Sequence, residues 1–357
     1  MLHDIRDIYT KTTESTLMAF NRHMADIYQR LKPIGFDAEF VRSVILPDWW
    51  VDSDAEVPFN RALAETTIAR FLKLSFEELS NPTAALSLPS IIPIRLKCAN
   101  QNSDPVVVRP AIQVAQRLAE ILARSAKEIP PFVGPERLRE IRPRLREHHP
   151  IVTLEVLTEA CWENGVIVAH MARLPKVSGF RKFDGLAMFV DGRPVVLLAD
   201  PSDVPPWQAF HLAHELGHIA LEHVLPGAGV LADGQLDRVA DDDVERQADR
   251  FACEMLTGKS ELAFKSVPGM TAEKLASAVS TFGSNNGIDP GVVALIYGRT
   301  AQRWGAAVEA LKLLGMRHGA KDVIRNALAS RLDLDSLQES QRHFLEQLVL
   351  PQAATVS

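Results

Sequence analysis

The run Ala209-Phe-His-Leu-Ala-His-Glu-Leu-Gly-His-Ile-Ala-Leu-Glu222 carries two histidines, His214 and His218, four residues apart, with Glu215 directly after the first. Residues four apart on a helix stand one above the other on one face, so both imidazoles can hold the same metal ion. Glu215 then lies where it can take a proton from the attacking water of a metal-dependent hydrolase. Catalytic zinc uses three protein ligands and keeps one position open, so this chemistry needs a third ligand from elsewhere in the chain.

Two residues could supply it. His223 follows His218 by five positions, which in a continuous helix is about 500° and turns it roughly 140° away. The metzincin spacing would instead need histidine at position 224, which is Val224. His223 is therefore set aside as a ligand and expected at the helix end, against the negative end of the dipole. Glu245 suits better. The stretch from Asp241 to Leu256 opens with three aspartates and continues with apolar Ala248, Phe251, Ala252, Met255 and Leu256, the pattern of an amphipathic helix. Glu245 and Asp249 share one face of it, so Glu245 can ligate while Asp249 hydrogen-bonds the far nitrogen of His214 and fixes its tautomer. A first-turn acid that stabilises the helix dipole is the plainer role for Glu245, but two histidines already on a neighbouring helix favour ligation. An oxyanion donor is not assigned: Tyr297, His170 and His211 are candidates, and a structural role is the simpler account of each.

The elements that must position these residues can be read outward from the motif. Ser202 or Asp203 can cap its helix, Pro205 and Pro206 suit a first turn, and Leu225-Pro226-Gly227 should end it. Gly217, costly inside a helix, makes sense if another element passes close to it. Upstream, Leu154 to Trp162 reads as a helix and Gly165 to Ala169 as a strand. Gly185 to Val190 and Pro194 to Leu198 read as a hairpin turning at Asp191-Gly192, with Pro194 near a strand start or an edge. After Gly258 the chain reads as helical, with a turn across residues 283 to 290.

The first hundred residues also read as helices, with Thr16 to Leu31 amphipathic and Trp49 and Trp50 anchoring a small core. Ala62 to Phe71 and Leu74 to Leu79 could form a helix-turn-helix, but Glu77 and Glu78 stand where phosphate contacts would want Lys or Arg, so DNA binding has low weight. The polar break at residues 99–106 and the Pro-Gly stretch ending at Gly134 suggest a division into 1–100, 101–134, 135–258 and 259–357. Five arginines between Arg137 and Arg146 are expected on a solvated face, or against an acidic partner.

Composition excludes several classes. A net charge of -6 leaves no global basic footprint for nucleic acid. Three widely spaced cysteines, Cys98, Cys161 and Cys253, do not make a disulfide framework. With neither a signal-peptide core nor an apolar run long enough for a membrane, the expected location is the cytoplasm.

His214-Glu-Leu-Gly-His218, the Glu245-x-x-Ala248-Asp249-x-Phe251-Ala252 run, Phe183-Asp-Gly185-Leu-Ala and the strand Val195 to Leu198 together resemble the ImmA/IrrE family of metallo-endopeptidases, over about residues 130 to 305. Ile288 to Arg299 is similar to the family's helical segment after the protease core. The family often has asparagine where this chain has Asp249. The resemblance implies an α+β fold, a minigluzincin-like zincin core flanked by all-α N- and C-terminal regions. It also implies Zn2+, with Mn2+ as an alternative, held by His214, His218 and Glu245, and Glu215 as the catalytic base. The implied substrate is a helix-turn-helix repressor of the XRE type, or an antitoxin, lying extended along a strand edge beside the motif helix. A DNA- or protein-binding regulator with a structural zinc or a cryptic protease is the alternative.

Overall fold

The computed structural model describes residues 24–89, 94–97, 105–127, 129–176, 183–226, 230–234 and 243–350. Cys98, the polar break before residue 105, the first part of the Thr16 to Leu31 helix and Asp241 and Asp242 lie outside these residues. At its centre is a five-stranded mixed sheet, built from β1 (Ile94–Lys97), β2 (Ile167–His170), β3 (Phe183–Val190), β4 (Arg193–Leu198) and β5 (Val230–Gly234), in the order β1-β5-β3-β4-β2. The β3–β4 hairpin turns at Asp191 (φ 50°) and Gly192 (φ 78°), both left-handed. That pair matches the twist of the strands it joins. Pro194 sits opposite Phe189 on β3, while pairing with β2 begins only at Val195, so its missing N–H costs no ladder bond to β2.

The sheet is a septum between two apolar layers, which is why its strands read as nearly continuous hydrophobic runs. Leu186, Met188, Val195, Leu197, Ile167 and Ala169 enter one core. Ala187, Val196, Leu198 and Val168 enter the other. The first core is closed by α1 (Met24–Leu31), α2 (Pro58–Leu72), α3 (Phe76–Ser80) and α4 (Pro105–Ser125), and by the C-terminal α14 (Glu339–Val349). Phe71 of α2 stacks on Phe344 of α14 with ring centroids 4.6 Å apart. The second core contains α7 (Leu154–Glu163), the motif helix α8 (Pro205–Ala220) and α9 (Asp243–Thr257). It also takes in α10 (Ala272–Asn286), α11 (Pro290–Thr300), α12 (Trp304–Leu313) and α13 (Ala320–Ala329). No described helix is long and apolar enough to cross a membrane.

Several expectations change. Ile94–Lys97 is a strand, not part of a helical N-terminal domain, because β5 offers it a parallel partner that no local pattern announces. The apolar core does not break at residues 100 or 134: helices from both sides of each boundary share it with the sheet. Of the two tryptophans, Trp50 is buried and Trp49 is exposed. The expected turn at Gly283 is helical, and the chain leaves α10 only at Gly287 (φ 62°). The expected strand edge beside the motif helix meets a sheet whose edges are β1 and β2, since β1 covers the outer side of β5.

The motif helix starts after Val204, with Pro205 in its first turn and no side-chain cap. Asp203 instead caps α13: its carboxylate accepts from the amides of Gly319 (3.0 Å) and Lys321 (2.9 Å), and its carbonyl accepts from Ala320. Burial alone would raise this carboxyl, but those amides and the Lys321 charge outweigh it and hold it below the usual carboxylate range. Asp203→Ala is therefore expected to cost about 1 kcal/mol in urea unfolding at pH 7. Because the folded-state pKa is lowered, this contribution is present above the ordinary pKa near 4 and lost as pH falls through the folded value. An equal mutant penalty at pH 7 and in strong acid would refute the assignment.

Candidate metal centre

His214 and His218 both lie on the buried side of α8, and the helix α9 brings Glu245 against them. His214 Nε2 stands 3.1 Å from His218 Nε2 and 3.2 Å from Glu245 Oε2, and His218 Nε2 stands 3.7 Å from Glu245 Oε1. All three side chains are almost fully buried, at 2%, 0% and 4% exposure. Donors about 2.0–2.1 Å from a tetrahedral ion stand about 3.3–3.4 Å apart, so these spacings suit a single metal.

Proton placement agrees with that fit. His214 Nδ1 lies 3.0 Å from Asp249 Oδ1, and a carboxylate only accepts, so the ring proton sits on Nδ1. In the neutral ring this leaves the Nε2 lone pair facing the Glu245 carboxylate, an arrangement of two acceptors that a shared cation makes favourable. Asp249 is itself braced by Arg299 of α11, whose Nη2 donates to Oδ2 at 2.9 Å. Burial would raise the Asp249 carboxyl, but its bonds to His214 and Arg299 and the Arg299 charge hold it far below the usual range. Arg299 acquires this role only through tertiary structure, where α11 packs on the motif helix α8 and brings its last turn to Asp249. Asp289 caps that helix, accepting from Gly291 (2.7 Å) and Val292 (3.2 Å).

Glu215, 1% exposed, packs against Gly185 of β3. A Cβ at position 185 would lie 2.6 Å from Glu215 Oε1 and 2.9 Å from its Cγ, so the glycine is what makes room for the carboxylate. Gly217 plays the same part between the helices, where a Cβ would meet Phe251 at 3.1 Å and the Ala248 backbone at 3.3 Å.

The end of the motif helix differs from expectation. It stops at Ala220, not near Pro226, because Glu222 turns left-handed (φ 61°) and folds the chain back. His223 therefore lies beyond the helix and is not turned away from His218 as it would be on a continuous one. Its Nδ1 lies 3.0 Å from His218 Nδ1, and its Nε2 lies 3.3 Å from Gln247 Oε1 on α9. The arginine cluster is also not simply a solvated face. Arg139, at the end of α5 (Pro135–Arg139), donates to the Ala220 carbonyl at 2.7 Å and pairs with Glu222. Arg142, in α6 (Ile141–His148), donates to Met255 O at 3.1 Å, near the end of α9. Two arginines thus hold the negative ends of the two helices that carry the site.

The oxyanion candidates have other surroundings. His170 Nε2 bonds the Asp200 carbonyl at 2.8 Å, and Tyr297 is buried beside Phe264. His211 is buried against Trp207, with Asp184 and Asp200 close by, and burial pushes its imidazole down to about 4. Among the described cysteines, Cys161 and Cys253 are both free thiols.

A mixed α+β fold with two histidines and a glutamate converging on one point is the arrangement of a metallopeptidase. Residues 172–311 match the family model of the IrrE N-terminal-like domain, a peptidase family, so this part of the chain is similar to metallopeptidases of that kind. The matched segment runs from the end of β2 into α12, and so contains both site helices. No curated protein matches the chain.

Since α8 and α9 cross in contact at Gly217, Gly217→Val is expected to destabilise the fold by about 1–3 kcal/mol through overpacking. Urea denaturation of the metal-free protein reads this, and an unchanged midpoint would show that the crossing is loose.

Proposed function

We propose that this chain is a zinc-dependent endopeptidase that cleaves a protein partner, an XRE-type helix-turn-helix repressor or an antitoxin, and thereby derepresses genes of a mobile element, of defence or of a stress response. The observation that carries the chemistry is the convergence of His214, His218 and Glu245 at 3.1–3.7 Å beside the buried carboxylate of Glu215. The substrate class rests on the likeness to the ImmA/IrrE family. Among the described residues three protein ligands converge, not four, which favours a catalytic over a closed structural site and weighs against a regulator with a purely structural zinc. Two imidazoles and a carboxylate suit zinc, and manganese is the alternative ion.

When bound, the ion supplies a Lewis acid that polarises the scissile carbonyl and lowers the pKa of water to about 7. Glu215 accepts the proton of the attacking water and returns it to the leaving amine. Its burial under β3 holds the carboxylate in place through both transfers. Asp249, braced by Arg299, keeps the proton of His214 on Nδ1 and its Nε2 lone pair directed at the ion. The N-terminal helices serve as a docking or sensing module, a reading supported by the exposed Trp49, Val51, Val57 and Phe59, the last at 76% exposure.

The test is co-production of the full chain with candidate XRE-type helix-turn-helix repressors, with cleavage products read by mass spectrometry. Wild type should cut the partner. Glu215→Gln should retain the metal, measured by elemental analysis, while cleavage falls by about 10²–10⁴-fold. A Glu215→Gln protein that cuts as fast as wild type would sink the mechanism. Cleavage of unrelated peptides, with the repressor left intact, would instead remove the substrate class.

A further inference from the structure

The two ligand histidines are not supported alike. His214 has a carboxylate behind it, whereas the Nδ1 of His218 faces another imidazole, that of His223, at 3.0 Å. To offer its Nε2 lone pair to an ion, His218 must carry its proton on Nδ1. Two Nδ1 atoms in contact can share only one proton, so His223 must then accept at Nδ1. Its own proton is left on Nε2, where Gln247 Oε1 lies within reach at 3.3 Å. The three residues form one directional chain, His218 Nδ1–H to His223 Nδ1, then His223 Nε2–H to Gln247 Oε1.

From this we infer that His223 is a positioning residue, which sets the tautomer and ring orientation of His218 for metal binding and is itself oriented by Gln247. The inference rests on the reading of His214, His218 and Glu245 as the ligand set. The backbone is built for the contact. The left-handed Glu222 reverses the chain so that the amides of His223 (2.9 Å) and Val224 (3.3 Å) return to the His218 carbonyl. Arg139 holds the same turn through Ala220 O and Glu222. Gln247 lies on α9 between Glu245 and Asp249, so the helix that brings the third ligand also brings the end of the chain that supports the second. His223 is only half-buried and lies past the helix end, so its side chain can be exchanged without opening either core.

The test measures zinc affinity of the full-length protein by competition with a chromophoric chelator at pH 8, with no substrate present. His223→Phe keeps a ring but cannot accept a hydrogen bond, and should bind zinc about 10–100-fold more weakly. The thermal midpoint of the metal-free protein should stay unchanged. His223→Asn retains an acceptor and should recover most of the affinity, which a merely space-filling role would not produce. Gln247→Leu should lose less, because solvent can replace an exposed acceptor, and combined with His223→Phe it should add nothing further. Wild-type affinity in His223→Phe would overturn the inference, as would equal losses in the Phe and Asn variants or additive losses in the double variant. A chain that shows this affinity pattern yet cuts no protein would refute the protease reading alone.

Discussion

The close crossing of α8 and α9 at Gly217 is the contact on which the site depends. Two ligands ride on one helix and the third on the other, so the spacing between the helices sets the spacing of the donors. With no Cβ at position 217, the Ala248 backbone and the Phe251 ring can come into direct contact with α8. A wider crossing would carry Glu245 away from both imidazoles, and a donor set spread beyond about 4 Å no longer fits the bond lengths of a small divalent ion. Arg139 and Arg142 hold the carboxyl-terminal ends of the same two helices, which limits their freedom to slide.

Burying acidic groups beside imidazoles is costly unless each finds a partner. The structure meets that cost in layers. Glu245 faces the two histidines, His214 is backed by Asp249, and Asp249 is backed by Arg299 on a third helix. The outermost member is the half-exposed Arg299, which water can solvate. On the side of His218 the support runs through His223 to Gln247. The two ligands thus receive different support, a carboxylate behind His214 and an imidazole behind His218.

The sheet gives this assembly a rigid floor. Because both its faces are covered, the strand that carries Gly185 cannot swing away from Glu215 without disturbing the core on the other side. The first core, on that other side, draws on segments far apart in sequence, with α2 stacked on α14 through Phe71 and Phe344. The helices outside the matched peptidase segment are therefore structural partners of the sheet and not detached appendages.

Much of the site was legible in the sequence because it is written in helical periodicity. Four-residue spacing puts His214 and His218 on one face, the same spacing pairs Glu245 with Asp249, and Asp191-Gly192 announces a hairpin by its backbone preferences. Each of these depends on residues within a turn or two of one another. What the amino-acid order alone left open depends on contacts between distant segments. Ile94–Lys97 becomes a strand because β5 is there to pair with it. Arg139, Arg142 and Arg299 look like ordinary surface cations until folding delivers helix ends or the half-buried Asp249 carboxylate to them. His223 would face away from His218 on a continuous helix, but the left-handed turn at Glu222 ends that helix early and brings the two rings together. Local spacing determined which side chains could act together, and tertiary packing decided which neighbours hold them in place.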